Sequence, residues 1–396
     1  ATYLKAIEAG VDVVDCAIGA LSGLTSQPNF NAVVEMMKFH ERANPYDIEE
    51  LNRHSTYWEA VREYYYPFES GLRASSAEVY YHEIPGGQYS NLKPQAAGLG
   101  LGDKMEEIKK AYRAVNEMFG DIVKVTPSSK VVGDMALFMV SNGLTVEDIY
   151  TKGHTLAFPE SVVSLFKGEI GQPVGGFDAR LQQIILKDVK PFTERPNEHL
   201  APVDFEKEFK LFKQKFDEHV KFTDLLSYLM YPKVFEEYHQ KKLAYGSVRK
   251  IPTPQFFYGL KQDEEALIEI DTGKAILVRL LTIGEPDVHG MRKVFMRLNG
   301  QTRIIEILDR GIEVHSHEHQ KAEKGKSEHI AAPLQGKISQ FFVKEGEKVK
   351  TNTPLFTLEA MKMESTITAL KEGTVKSIVL PAGTLVKAED LVMVVE

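Results

Sequence analysis

The end of the chain repeats internally, and this repeat constrains the fold more than any other feature. When residues 336–359 are shifted by 37 positions they align with residues 373–396, so that Gly336 matches Gly373 and Gly346 matches Gly383. Each half reads as short strands with glycines at the turns, and neither half carries enough apolar surface to fold alone. Residues 329–396 are therefore predicted to form one β-sandwich whose two halves are related by a pseudo-twofold axis.

The two halves meet at the sequence Ala-Met-Lys-Met, residues 360–363. The repeat predicts that Lys362 lies at the tip of an exposed hairpin. A lysine at such a tip can serve solubility alone, but the methionines on either side of it would gain little burial there. We therefore expect this tip to be recognised by another protein surface.

The motif and the repeat resemble the biotinyl domains of biotin-dependent carboxylases, whose signature is Ala-Met-Lys-Met. Lipoyl domains share the architecture but usually carry Asp-Lys-Ala at the tip. The resemblance implies that a biotin protein ligase attaches biotin covalently to Lys362. The modified side chain is a long arm, and such a tether raises the effective concentration of its cargo at any site that it can span.

The first hundred residues have the pattern of the end of an α/β repeat. The nearly all-apolar segment 11–18 predicts a parallel strand buried on both faces, with Cys16 as an inert core residue. Helices are predicted after Asn29 and over residues 47–68, and a second strand over residues 76–84. Together these elements indicate the last units of a TIM-type (β/α)8 barrel. Because a whole barrel needs about 250 residues, we expect the natural chain to start upstream.

The middle of the chain changes from helical to β periodicity near residue 252. Helices are predicted over residues 103–120, 128–143, 159–168, 205–216 and 223–240. Residues 253–310 predict a small β-rich module, and residues 311–328 a charged linker. His315, His317 and His319 alternate in this linker, but their spacing is not that of a closed metal site. The predicted domains are therefore 1–252, 253–310 and 329–396, with the linker before the last.

Three segments carry a second resemblance: "GLTSQP" at 23–28, "EIPGGQYSNL" at 83–92 and "DIVKVTPSSKVVGDMA" at 121–136. They resemble the carboxyltransferase domain of the pyruvate carboxylase family. The whole chain follows that family in order: barrel end with helical funnel, tetramerisation and allosteric module, linker, biotinyl domain. The resemblance implies a biotin-dependent ligase that carries a CO2 unit to pyruvate and makes oxaloacetate, and it implies a homotetramer.

One catalytic residue follows from the resemblance. In the family, the threonine of the "GLTSQP" loop passes a proton between the methyl group of pyruvate and biotin, and in this sequence that threonine is Thr25. A hydroxyl both donates and accepts hydrogen bonds, so it suits a relay. From the residues alone, a loop threonine that caps the next helix is the preferred interpretation of Thr25.

The resemblance also implies partners that this chain does not hold. ATP is used by a separate domain, and a divalent metal, Zn or Mn, is held by barrel strands that precede residue 1. His54, His82 and His154 are isolated in the sequence, so no metal ligand is predicted here. The chain by itself is expected to be inactive, and its allosteric effector is not determined by the sequence.

Composition excludes some classes of partner. The net charge is −8 and the pI about 5.9, which argues against nucleic acid or an anionic membrane as a partner. The single cysteine allows no internal disulfide and fits a reducing compartment. We expect a cytoplasmic protein, or one of the mitochondrial matrix if the source is eukaryotic.

Two alternatives stay open at this point. The α subunit of an oxaloacetate-decarboxylase-type enzyme also joins a transferase barrel to a biotinyl domain, but usually through a Pro/Ala-rich linker. A non-catalytic biotinyl or lipoyl carrier protein is the alternative from another class. The 300 or so residues ahead of the repeat argue against a pure carrier.

Overall fold

A computed structural model describes residues 1–69, 71–72, 74, 76–287, 289–309, 319–323, 326–360 and 363–396. The chain divides into two compact units, Ala1–His199 with Glu318–Glu396, and Leu200–His317. The first unit therefore contains both the N-terminal region and the predicted sandwich. The predicted boundary at residue 252 lies inside the second unit.

The first unit begins with helices and short connections. Its helices are α1 (Thr2–Glu8), α2 (Phe30–Met37), α3 (Ile48–Glu63), α4 (Val79–His82), α5 (Gly86–Gly98), α6 (Met105–Met118), α7 (Ser128–Ser141), α8 (Val146–Lys152), α9 (Glu160–Lys167) and α10 (Ala179–Leu186). The helix predicted after Asn29 is confirmed, and the Asn29 side chain caps it by accepting from Ala32 N. The predictions for α3, α6, α7 and α9 are confirmed as well.

Two strand predictions in this region were wrong. Residues 11–18 are extended but make only an isolated parallel bridge, between Ala17 and Asn29. Val13 is 78% exposed and Cys16 is half-buried, so the segment is not a buried strand and Cys16 is not in a closed core. Residues 76–84 contain the short helix α4 instead of a strand. A strand is stable only beside a hydrogen-bonded neighbour; among the described residues the first segment has only the bridge to Asn29, and the second has no paired strand.

Helices α5–α10 supply the core of the first unit. Helix α6 buries Ile108, Tyr112 and Val115 completely, the spacing of one helical face. Helix α7 is buried along most of its length and packs against α5, α6 and α9. This buried set is contiguous with the interior of the C-terminal sandwich, so the two parts share one hydrophobic core.

The sandwich confirms the predicted pseudo-twofold repeat. Its strands are β5 (His329–Ala331), β6 (Gly336–Phe341), β7 (Lys348–Val349), β8 (Pro354–Ala360), β9 (Met363–Thr368), β10 (Gly373–Ile378), β11 (Leu385–Val386) and β12 (Leu391–Val395). One sheet has the order β5-β12-β10-β7, and the other the order β9-β8-β6-β11. Each strand of one sheet has its counterpart 37 residues away in the other, with β6 matching β10 and β8 matching β12.

Two glycines show why the repeat keeps its spacing. A Cβ on Gly336 would lie 2.5 Å from the Glu359 carbonyl oxygen, and a Cβ on Gly373 would lie 2.5 Å from that of Glu396. Real side chains do not approach a backbone oxygen so closely, so both halves require glycine where these strands begin.

The second unit contains helices and one antiparallel sheet. Its elements are α11 (Phe205–Lys215), α12 (Phe222–Met230), α13 (Pro232–Tyr245), α14 (Thr253–Tyr258), β1 (Glu265–Asp271), β2 (Lys274–Ile283), β3 (Met291–Leu298) and β4 (Gln301–Leu308). The β character predicted for residues 253–310 is confirmed by a four-stranded sheet in the order β1-β2-β3-β4. The single helix predicted over residues 223–240 was wrong, because Pro232 ends α12 and begins α13.

Candidate functional site

Thr25 lies in a tight turn that follows the extended segment. Gly23 N donates to Gln27 O at 2.9 Å, and Ser26 N donates to Gly23 O at 2.7 Å. Gly23 and Leu24 have φ values of +79° and +51°, so the chain reverses direction just before Thr25. The Thr25 side chain is half-buried at this turn.

Side chains of α2 and α3 hold the start of this loop. Ala20 N donates to Ser55 Oγ at 3.0 Å, and Gly19 N donates to Asn31 Oδ1 at 3.1 Å. Arg62 donates to Ala20 O at 2.7 Å. These bonds satisfy backbone groups of Gly19 and Ala20, and they fix the start of the loop on a helical support.

The first turn of α5 closes against Thr25. A Cβ on Gly86 would lie 2.6 Å from the Thr25 carbonyl oxygen, whereas a Cβ on Gly87 would meet no atom within 4 Å. The Gly-rich turn of the sequence is therefore the N-terminal end of a helix, and Gly86 is needed for the close approach.

The predicted hairpin tip lies between two paired strands. Strands β8 and β9 are antiparallel, with Ala360 opposite Met363. Lys362, the predicted biotin attachment site, and Met361 lie outside the described residues. Only these two residues separate the paired positions, so the strands bring the chain to the predicted hairpin end.

Strand β9 lies along the helical part of the first unit. Ser365 forms an antiparallel bridge with Pro159, which immediately precedes α9. Further from the tip, Lys187 Nζ donates to Thr368 Oγ1 at 3.4 Å, and Asn352 Nδ2 donates to Asp188 Oδ2 at 2.8 Å. This side of the sandwich therefore contacts the residue that precedes α9 and the residues that follow α10.

A cleft of about 390 Å³ lies beside these contacts. It is lined by His154, Gln183 and Lys187 of the helical part, and by Asn352 and Leu370 of the sandwich. Burial lowers the pKa of the Lys187 ammonium, although Asp188 opposes this effect. The cleft thus lies at the end of β9 that is remote from the tip.

The candidate histidines are separate from one another. His54 is exposed beside Glu50, at 3.2 Å, and His154 lines the cleft. His82 is buried; its Nδ1 accepts from Ile84 N at 2.9 Å, and burial lowers its pKa. His319 contacts Leu385 O at 3.2 Å, whereas His315 and His317 lie outside the described residues. Within the described part of the chain, no three His, Cys, Asp or Glu residues form a group able to hold a metal ion.

Sequence reasoning missed the residues that join the carrier to the helices. Helix α10 was not predicted, although Asp178 is a good N-cap and apolar residues follow at Leu181 and Ile185. Asp134 was also overlooked, although a charged residue inside an apolar helical run is unusual. No sequence pattern indicates the contacts of Pro159 and Asn352, because these contacts depend on where the sandwich lies.

Two family models match the chain. The conserved carboxylase domain matches residues 79–279, which is half of the chain, and the biotin-requiring enzyme domain matches residues 328–395. The chain belongs to the carboxylase family. The second match covers the predicted sandwich, and therefore supports covalent biotin as the cofactor of this family member.

Curated relatives of this carboxylase family member extend the match to the whole chain. It is 47% identical over 395 residues to pyruvate carboxylase of Staphylococcus aureus, and 46% identical over 394 residues to that of Bacillus subtilis. Both alignments cover 100% of this chain and 34% of the relative. The chain therefore spans about a third of the length of these relatives. The alternatives of a decarboxylase subunit and of a non-catalytic carrier are not favoured.

Solved structures agree with the fold assignment. A complete multifunctional pyruvate carboxylase from Rhizobium etli is 45% identical, with a TM-score of 0.68, and the match covers 99% of this chain and 36% of that one. The carboxyl transferase domain of the same enzyme is 48% identical, with a TM-score of 0.70, over 78% of this chain and 52% of that one. Among the described helices, none has the length and apolar character needed to cross a bilayer.

Proposed function

We propose that this chain supplies the transfer half of a biotin-dependent pyruvate carboxylase. Lys362 carries biotin, and Thr25 relays the proton when pyruvate is carboxylated to oxaloacetate. The observation that carries the proposal is the contact between a biotinyl-type sandwich and the transferase helices within one compact unit. A carrier tethered to the transferase region raises the effective concentration of its cargo there.

The residues around the tip fit the attachment of biotin. The ε-amino group of a lysine forms a stable amide with a carboxylic acid, and strands β8 and β9 are paired up to Ala360 and Met363 on either side of Lys362. When bound, biotin would supply a ring nitrogen that holds a CO2 unit and releases it at a second site. The paired strands would keep the anchor point of that arm fixed.

The surroundings of Thr25 support the proposal of a proton relay. Its loop lies at the end of the extended segment, on helical supports and against the first turn of α5. Thr25 Oγ would release its proton to the ring that has given up CO2, and would take a proton from the methyl group of pyruvate. The methyl carbon then bonds to CO2 and oxaloacetate forms. The hydroxyl ends the cycle as it began, so it acts without a net change.

Other parts of the proposal concern regions beyond this chain. A divalent metal and an ATP-dependent carboxylation site would be supplied by the rest of the enzyme. One solved structure of the Rhizobium etli transferase domain contains pyruvate and biocytin, which supports pyruvate as the substrate class. A homotetramer, a biotin protein ligase as the modifying partner, and a cytoplasmic or mitochondrial matrix location belong to the same proposal.

Biotinylation tests the proposal directly. The chain is expressed with a biotin protein ligase, and its intact mass and tryptic peptides are measured. We expect one biotinyl group on the peptide that contains Lys362, and none in Lys362→Arg. Lys350→Arg, on an exposed turn of the same sandwich, is the matched control and should keep the group. An unmodified or lipoylated Lys362 would contradict the proposal.

A further inference from the structure

His82 lies at the junction between α4 and α5, and the first turn of α5 closes on Thr25. The ring nitrogen Nδ1 of His82 accepts a hydrogen bond from Ile84 N at 2.9 Å, across the single residue Glu83. Glu83 has a φ of +60°, so the chain turns sharply here. Gly86 then begins α5, and a Cβ on it would lie 2.6 Å from the Thr25 carbonyl oxygen. The bond at His82 therefore sets the path of the chain just before it reaches the Thr25 loop.

The surroundings of His82 hold its ring in place. The residue is 9% exposed, and its ring stacks on that of Tyr89, with the centroids 5.6 Å apart and the planes inclined at 22°. Because Tyr89 belongs to the start of α5, this stack joins the end of α4 to the next helix. The neighbouring Glu83 carboxylate pairs with Lys124 Nζ at 2.9 Å, which anchors the turn from outside. The ring therefore has little freedom to find another orientation.

The hydrogen bond also defines the protonation state of the ring. A ring nitrogen that accepts from a backbone N–H carries no proton, so His82 is neutral and its proton lies on Nε2. In the imidazolium both nitrogens carry protons, so that Nδ1–H would face the Ile84 N–H and the bond would be lost. Ile84 is 1% exposed, so water is a poor substitute for this acceptor. Protonation of His82 therefore removes the bond that fixes the junction.

The charged groups that face His82 within the described residues belong to α6 and to the residue before α4. Lys109 Nζ lies 2.6 Å from Glu78 Oε2 and 2.8 Å from Glu106 Oε1. Burial of the ring, and next the charge of Lys109, lower the pKa of His82, whereas the two carboxylates oppose this effect. The neutral ring that the hydrogen bond requires is therefore the stable form at neutral pH.

We propose that His82 is a positioning residue for the Thr25 loop, which in its neutral form holds the junction of α4 and α5 so that Gly86 closes on Thr25. This inference rests on the proposed function and deepens it, because it adds the requirement for a neutral histidine to the transfer step. His82 does not touch the reacting atoms and acts through Ile84 and Gly86. Transfer should therefore slow when the pH falls far enough to protonate His82.

Two substitutions of His82 test this role in the full-length enzyme. The rate of oxaloacetate decarboxylation is measured with free biotin in a Lys362→Arg parent, so that the transferase region acts without the carrier. His82→Leu puts a carbon in place of Nδ1, and its kcat should fall about tenfold, because small misplacements of a reacting group are costly. His82→Asn keeps an acceptor for the N–H two residues on, so its kcat at neutral pH should stay within about threefold of that of the parent.

The pH profile separates positioning from packing. As His82 becomes protonated, the parent should lose about tenfold in rate, the same loss as in His82→Leu, because both changes remove the acceptor. Asparagine does not titrate, so the ratio of the His82→Asn rate to the parent rate should increase by this factor as the pH falls. His199→Asn, at an exposed histidine beside Glu194, is the matched control and should leave the profile unchanged.

A measurement on the unsubstituted enzyme covers the case in which neither variant of His82 folds. Hydrogen exchange at the C2 position of the imidazole, followed by mass spectrometry of the peptide that contains His82, gives the pH at which this ring is half protonated. We expect that pH to lie below the value for free histidine and to coincide with the acid limb of the rate. A midpoint at or above that of free histidine, or one that does not match the acid limb, would overturn the inference.

The outcomes separate the two claims. A parent enzyme without biotin-dependent decarboxylation would overturn the proposed function, and this inference with it. If the parent is active and Thr25→Ala is not, but His82→Leu works at the parent rate, the positioning role is wrong while the proposed function stands. The same conclusion follows if the parent and His82→Asn have the same pH profile.

Discussion

The C-terminal sandwich and the N-terminal extended segment are both made of strand-like sequence, yet only the sandwich forms sheets. Residues 329–396 contain two halves that supply each other's neighbouring strands and buried face. Residues 11–18 are as apolar, but they have an isolated bridge at Ala17, and the cluster near them contains only Ile7, Val33 and Met37 as buried members. The difference shows that apolar sequence gives a strand only where the same fold supplies its partner.

The test with the largest expected effect truncates one apolar side chain in each region. Phe356 is 0% exposed in the sandwich, whereas Val13 is 78% exposed. We expect Phe356→Ala to reduce the stability of the sandwich by about 4 kcal/mol, from lost burial and a cavity. Val13→Ala should cost less than about 0.5 kcal/mol. Amide hydrogen exchange of β6, β8 and α2 measures both effects, and equal losses would contradict the comparison.

The second test uses the symmetry of the sandwich. Gly336→Ala and Gly373→Ala each place a Cβ 2.5 Å from a backbone oxygen, so each should destabilise the sandwich by about 2–3 kcal/mol. The two losses should be similar, because the contacts are equivalent. Ser339→Ala, at an exposed position of β6, is the control and should change little. A loss at one glycine only would show that the halves are not equivalent in energy.

These contacts explain how much of the fold was predictable. Gly336 and Gly373 could be paired from sequence alone, because a repeat records the same steric requirement twice. The strand at 76–84 could not be corrected in the same way, because Val79, Tyr80 and Tyr81 favour a strand by propensity and only their surroundings make them helical. Pro232 was visible in the sequence, and its effect on the helix at 223–240 should have been recognised.

The third test concerns the Thr25 loop, which follows the extended segment 11–18. Gly86→Ala places a Cβ 2.6 Å from the Thr25 carbonyl oxygen, so the loop or the helix must shift. We expect about a tenfold fall in the rate of transfer in the full-length enzyme, with little change in stability, because a small shift of a reacting group is enough. Gly87→Ala faces open space and is the matched control. Equal rates for the two variants would mean that the close approach does not position Thr25.

The smallest test probes the extended segment through Cys16. Burial raises the pKa of the Cys16 thiol above its ordinary value, and Asp15 adds to the effect. Alkylation of this sole cysteine of the chain should therefore be slow at neutral pH. Its rate should increase at a higher pH than the alkylation rate of free cysteine does. In Asp15→Asn, the pH at which alkylation of Cys16 is half-maximal should be slightly lower. A midpoint below that of free cysteine would contradict the environment described for residues 11–18.

The sequence could indicate which residue types the candidate site contains, but not how they are arranged in space. The resemblance of two motifs to known families is what proposes Lys362 and Thr25, and both assignments stay predictions. Asp134 and Ser161 are joined by a hydrogen bond although they lie in separate helices, and no pattern in the sequence pairs them. Their relation is a product of how α7 packs on α9, which sequence patterns do not specify.

The central claim is that the carrier brings biotin on Lys362 to a proton relay at Thr25. The measurement that tests it most directly is the rate of oxaloacetate formation from pyruvate by the full-length biotinylated enzyme, for wild type, Thr25→Ala and Thr25→Ser. We expect a loss of at least about a hundredfold in Thr25→Ala and substantial activity in Thr25→Ser, which retains a hydroxyl. A Thr25→Ala enzyme that is fully biotinylated and works at the wild-type rate would contradict the account.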